Sequence, residues 1–257
     1  MARIRLTLCG LGLGLLLVAC GGTTGGAETT PPPPSAVAEG AWSGTASGNS
    51  FDMLVLENGD LYAMYGNATS SIFQALGFIQ GGSTLSGNTL QVAQLTEFHF
   101  NNTAILRTSG ALSATVVTGV SLSGSSSAGT AVANFAATPT SASYSSYQYN
   151  QAAQVSDIAG AWSGFFLDQT TTLFSIDAAG ALSGSNGSCS FTGSVTPRPS
   201  NKNVFNVVLN LGPLCTAANL STAGVALSYV LPNGKRRLLL ATLDASKALG
   251  YLLYAQR

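Results

Sequence analysis

A five-residue word occurs twice in this chain of 257 residues. Gly40-Ala41-Trp42-Ser43-Gly44 returns 120 residues later as Gly160-Ala161-Trp162-Ser163-Gly164, and the two copies hold both Trp residues of the chain. The likeness continues downstream. Phe51 to Leu61 and Thr172 to Leu182 each read as an apolar run, a Gly turn and a returning run. Gly77-Phe78-Ile79-Gln80-Gly81 is echoed by Cys189-Ser190-Phe191-Thr192-Gly193. A repeat of this period means one unit built twice, so the chain is expected to form two related domains of about 100 residues each.

The units read as all-β. In the second copy, strand-like runs fall near 161–167, 172–177, 180–184, 189–196, 203–211, 223–231, 237–244 and 248–255. Phe205, Val207, Leu209 and Leu211 share a face, as do Val225, Leu227, Tyr229 and Leu231. This period of two is that of half-buried strands. Asn233-Gly234 and Asn58-Gly59 separate such runs and signal tight hairpins. The first copy is looser, with runs near 41–47, 51–57, 60–65, 76–81, 88–95, 103–107, 111–117 and 130–136. No segment sustains a helical period with caps. Many short strands in sequence predict an antiparallel meander, and closing it into a barrel removes the exposed edges. The expected fold is two small antiparallel meander β-barrels in tandem; the alternative is one fused β-sandwich built from both copies.

The N-terminus reads as an address. Arg3 and Arg5 precede an apolar run from Leu6 to Ala19, too short for the roughly 20 residues of a membrane span. Residues 1–19 are therefore expected to be a signal peptide. The run ends in Leu17-Val18-Ala19-Cys20, which resembles the lipobox of bacterial lipoproteins. That resemblance implies lipidation of Cys20 and a membrane anchor made of acyl chains. With Gly at 21, it also implies sorting to the outer membrane. Residues 20–39 carry Gly pairs and Pro31-Pro32-Pro33-Pro34, a tether that is flexible and then stiff. Of four Cys residues, Cys9 leaves with the signal and Cys20 is lipidated. Cys189 and Cys215 remain and are expected to pair in an oxidising compartment, closing a loop of about 27 residues. The domains are then 40–138 and 159–257, joined by a Ser/Tyr-rich connector at 139–158.

Gly40-Ala41-Trp42 and Gly160-Ala161-Trp162 also resemble the Gly-x-Trp that opens lipocalin barrels, where the Trp closes one end. The stretch from Gly160 to Gly184 is similar to the first hairpin of avidin-type barrels. Those biotin pockets are lined by several Trp residues that this chain lacks, so no biotin-binding residue carries over. The tethered two-barrel layout is similar to that of neisserial surface lipoproteins of the factor H-binding and transferrin-binding kinds.

Charged residues make up 8% of the chain, and ten basic residues balance ten acidic ones. No basic field exists to gather phosphates, so nucleic acid is not an expected partner. The one His, His99, excludes a multi-His metal site. No metal and no cofactor is expected. His99 and Glu97 are expected to form a solvent-facing pair opposite Phe98 and Phe100. Trp42 and Trp162 are expected as structural plugs, and Lys235-Arg236-Arg237 as a solvated hairpin tip. Tyr144, Tyr147 and Tyr149, in a Ser- and Asn-rich stretch, are candidate binding residues, since Tyr offers contact area at low entropic cost; a packed interdomain connector is the other reading. The expected function is a non-catalytic binding module at the cell envelope, for a protein, glycan or small apolar ligand. A structural or assembly lipoprotein facing the periplasm is the alternative, and a hydrolase using His99 a minor one.

Overall fold

A computed structural model describes residues 36–69 and 72–257. The expected signal peptide, Cys20 and the expected tether through residue 35 lie outside the described residues. The first copy folds as β1 (Gly40–Ala46), β2 (Asn49–Val55), β3 (Asp60–Thr69), β4 (Ile72–Gly82), β5 (Thr84–Ser86), β6 (Thr89–Phe100), β7 (Ile105–Val117), β8 (Ser121–Ala128) and β9 (Ala131–Pro139). Neighbours in sequence pair antiparallel, except that the short β5 bonds only to β6. Pairing of β1 with β9 and of β4 with β6 closes the sheet into an eight-stranded barrel. A connector with two single-turn helices, α1 (Thr140–Ser143) and α2 (Val155–Ile158), leads to the second copy. There β10 (Gly160–Phe166), β11 (Thr171–Ile176), β12 (Ala181–Asn186), β13 (Cys189–Pro197), β14 (Phe205–Leu211), β15 (Ser221–Val230), β16 (Arg236–Leu243) and β17 (Gly250–Gln256) form a second closed barrel, with β10 bonded to β17. Each sheet closes on itself, which excludes the fused sandwich.

The turns follow their residues. Gly59 and Gly234 hold φ of 83° and 81°, where a side chain would be strained, and each closes its hairpin with backbone bonds to Leu56 and Leu231. Two strand readings in the first copy need correction. The runs at 103–107 and 111–117 are one strand, β7. The serine-rich β8, Ser-Leu-Ser-Gly-Ser-Ser-Ser-Ala, gave no strand signal because it has little apolar alternation. It exists because β7 and β9 supply full ladders on both of its sides.

The two interiors differ in what fills them. Large inward side chains such as Phe174, Phe191, Phe205 and Leu240 pack the second barrel. The first is packed by Trp42, Val55, Leu61, Val92 and Leu122 at the end where the chain enters. Its other end is lined by small residues, among them Ala46, Ala63, Ser126 and Ala133.

A third core lies between the barrels. Leu54, Tyr62, Met64, Phe78 and Phe98 from the outer wall of the first barrel meet Leu227, Tyr229, Leu239, Leu252 and Tyr254 from that of the second. Phe78 and Phe98 stack at 5.0 Å, and Gly250 of β17 lies against both rings, 2.5 Å from Phe78 to where a Cβ would stand. Ion pairs of Arg198 with Glu57, at 2.7 Å, and Lys202 with Glu39, at 2.9 Å, join the two copies beside it. The arrangement is that of a protein interface, with an apolar centre and a polar rim.

Candidate functional site

The first barrel is open where its small inward residues fail to fill it. A cavity of about 140 Å³ lies there, with Phe51, Met53, Ile79, Leu112 and Phe135 as its apolar wall. An eight-stranded barrel has room for packed side chains or for one small ligand. Side chains pack the second barrel, while the first, at this end, leaves a space that its small inward residues do not fill.

Glu97 is the one carboxylate in this lining. It reaches the interior through a shift in strand register. The β6–β7 ladder slips between Val92 and Leu95, so that Leu95, Glu97 and His99 continue the inward row. Tyr65 on β3 donates its hydroxyl hydrogen to Glu97 Oε1 at 2.7 Å. Gly77 makes this reach achievable, since a Cβ at that position would collide with the Tyr65 ring and hydroxyl. Burial, followed by the bond to Glu97 and its negative charge, raises the Tyr65 phenol far above its ordinary range, so it stays a donor. His99 Nδ1 lies 3.4 Å from Glu97 Oε2. Glu97 and His99 therefore share a face opposite Phe98, as the alternation predicted. The solvent-facing expectation is corrected: Glu97 is at the lumen, and Phe98 is in the junction between the barrels.

A second polar cluster sits in the junction core. Asp52, on the outer face of β2, is buried and accepts hydrogen bonds from Ser43 Oγ and from the Tyr229 hydroxyl of the second barrel, both at 2.7 Å. Ser43 Oγ is also 2.9 Å from Thr140 Oγ1. Arg237 Nη1 donates to the Tyr229 oxygen at 3.2 Å, and its guanidinium lies 5.0 Å from the Phe73 ring centre. Burial holds the Asp52 carboxyl above its ordinary value of 3.8, against the opposing pull of Tyr229, Ser43 and Arg237. The basic tip is thus divided: Lys235 is exposed, while Arg237 turns into the junction instead of being solvated.

The candidate tyrosines lie in that junction too. Tyr144 stacks on Tyr229 at 4.3 Å. Tyr147 is 1% exposed and donates to the Asn203 carbonyl at 2.9 Å. Tyr149 is half-buried, with its hydroxyl 3.4 Å from the Val55 carbonyl. The connector reading describes this placement: the rings hold the barrels together and are not displayed as a contact surface. Parts of Tyr147, Gln148 and Tyr149 still border an open groove of about 360 Å³ near Trp42, with polar and apolar residues alike in its lining. Cys189 and Cys215 form a disulfide across 26 residues. Trp42 and Trp162 occupy equivalent plugs, their Nε1 atoms donating to the carbonyls four residues back, Ala38 at 2.9 Å and Ile158 at 2.7 Å. Among the described residues no group of three or more His, Cys, Asp and Glu converges on a metal position. Cys20 lies outside the described residues.

A barrel interior able to hold a small ligand followed from the expected fold, but neither Tyr65 nor the unfilled end of the first barrel was singled out by the sequence. Its available signal was the small inward set on β1, β3, β8 and β9, which marks a barrel wall with nothing large behind it.

No protein-family model matches the chain, and no curated protein matches it. Among solved structures it is similar to a protein of unknown function from the DUF3598 family of Nostoc punctiforme. That match has 12% identity over 85% of this chain and 93% of the other, with a TM-score of 0.28. It is also similar to transferrin-binding protein B of Haemophilus parasuis, at 8% identity and a TM-score of 0.24. There it covers 82% of this chain and about half, 54%, of that protein.

Proposed function

We propose that the chain is a non-catalytic binding module, held at the bacterial outer membrane through lipidated Cys20, whose first barrel receives a small apolar ligand. The observation that carries the binding part is the unfilled end of the first barrel, with its apolar wall and one converging polar pair, Tyr65 and Glu97. Ligand sites have this make-up: a mostly apolar concavity with few, placed polar groups. The one hydroxyl in the lining held by a carboxylate is that of Tyr65 on Glu97, and its raised phenol stays protonated as a donor, which supports binding without turnover. The anchor rests on the apolar run to Ala19, Leu17-Val18-Ala19-Cys20 and the Gly/Pro tether. Several acyl chains hold firmly, at about 0.8 kcal/mol for each buried CH₂.

Two measurements test the proposal. Cys20→Ala should move the protein from the membrane fraction to the soluble fraction; an unchanged distribution would refute the anchor. Titration of the folded protein with toluene, followed by NMR, should shift resonances of Met53, Leu112 and Phe135. The lumen-filling Ala133→Leu should remove those shifts. Shifts absent from the unaltered protein would refute the binding reading.

A further inference from the structure

We infer that the lumen of the first barrel selects ligands carrying a cationic amine head on an apolar or aromatic body, and rejects carboxylates of the same size. The inference rests on the binding reading above and adds its selectivity.

The argument starts from charge. Among the described residues, the lining carries one formal charge, the carboxylate of Glu97, and no Lys or Arg. Among the described residues no ion pair joins Glu97 to a Lys or Arg; its partner is His99 at 3.4 Å. An ionised carboxylate offers about four lone-pair sites. Tyr65 takes one of them, on Oε1, and His99 Nδ1 stands 3.4 Å from Oε2, short of a further full bond. The Tyr65 bond also fixes the carboxylate in place, so that its remaining lone pairs are oriented before any ligand arrives. A charge held beside an apolar wall interacts more strongly than it does in water, and it favours an ammonium that donates to it.

The wall adds a second preference of the same sign. Phe51 and Phe135 meet edge to face, with centroids 5.8 Å apart, and both line the cavity. Ring faces attract cations. A ligand carboxylate entering this space would meet Glu97 with like charge, with no Lys or Arg in the lining to answer it. Size sets the rest. A cavity of about 150 Å³ lined by apolar side chains binds benzene. The 140 Å³ here suits a single ring or a short branched chain.

The experiment is a calorimetric or NMR titration of the folded protein with benzylamine, benzyl alcohol and benzoate at neutral pH. It is repeated on Glu97→Gln and Ala133→Leu, with circular dichroism checking that each variant is folded. Benzylamine should bind at least about tenfold more tightly than benzyl alcohol, with benzoate weakest. Glu97→Gln should erase the difference between amine and alcohol while leaving the alcohol bound, and Ala133→Leu should weaken both. Equal binding of amine and alcohol, both lost in Ala133→Leu, would overturn the selectivity and leave the binding reading standing. Tighter binding of benzoate would overturn the selectivity as well. Binding of none of the three, or binding untouched by Ala133→Leu, would remove the lumen as a site and the inference with it.

Discussion

The Tyr229 hydroxyl of the second barrel donates to Asp52 Oδ2 of the first at 2.7 Å, across 177 residues of sequence. The bond sits inside an apolar junction, where an unpaired polar group costs about 1–3 kcal/mol. Tyr229→Phe should therefore destabilise the protein by an amount in that range, read from urea unfolding. A change well under that range would mean that water replaces the bond.

Asp52 also gives the junction a pH dependence. Burial raises its carboxyl above the ordinary 3.8, so in the pH window above that value the folded state binds more protons than the unfolded state. Its contribution is thus complete below about 3.8 and is lost as pH rises through the folded value, by at most about 1.4 kcal/mol per pH unit. The stability difference between the unaltered protein and Asp52→Asn, measured by urea unfolding from pH 3.5 upward, should shift toward the Asn variant with rising pH. A shift the other way would contradict the direction.

At Gly250 the barrels pack with no room for a side chain. Its missing Cβ faces Phe78 at 2.5 Å and Phe98 at 2.7 Å. Gly250→Val should cost about 1–3 kcal/mol by overpacking. It should also uncouple the barrels, seen as separate denaturation midpoints for Trp42 and Trp162 fluorescence in single-Trp proteins. Coincident midpoints in the variant would mean that the junction yields without opening.

That junction marks the boundary of what could be read from sequence. The repeat, the meander, both Asn-Gly hairpins and the all-β class followed from period-two alternation and turn residues, which are local signals. The disulfide followed from Cys counting. The face shared by Val225, Leu227, Tyr229 and Leu231 was identifiable, but it points at the other barrel, while Ala226 points inward. The informative sign lay in runs that do not alternate, such as Met53-Leu54-Val55-Leu56 and Leu238-Leu239-Leu240-Ala241. Strands buried on both faces read that way. Glu97 was hidden for a different reason. Its inward placement depends on a register shift between Val92 and Leu95, which reverses the face expected from simple alternation.

The disulfide should stabilise the second barrel. Closing a loop across 26 residues contributes about 3–4 kcal/mol in the chain-entropy account. Reductant should lower the urea midpoint reported by Trp162 by a corresponding amount. An unchanged midpoint under complete reduction would show that packing alone holds that end.

The two Trp plugs make matched bonds, so matched losses are expected. Trp42→Phe leaves the Ala38 carbonyl without its donor, and Trp162→Phe does the same to Ile158. Each should cost about 1–3 kcal/mol from the orphaned carbonyl, plus a smaller packing loss. A negligible cost at either site would show that its plug is not structural.

Native mass spectrometry of the protein extracted from its own membrane in mild detergent tests the central claim most directly. The expected species begins at a lipidated Cys20 and carries a small non-covalent ligand. That ligand should be lost from Ala133→Leu, whose lipid mass is unchanged. An unlipidated polypeptide, or a ligand-free mass in both proteins, would contradict an anchored module that holds its ligand in the first barrel.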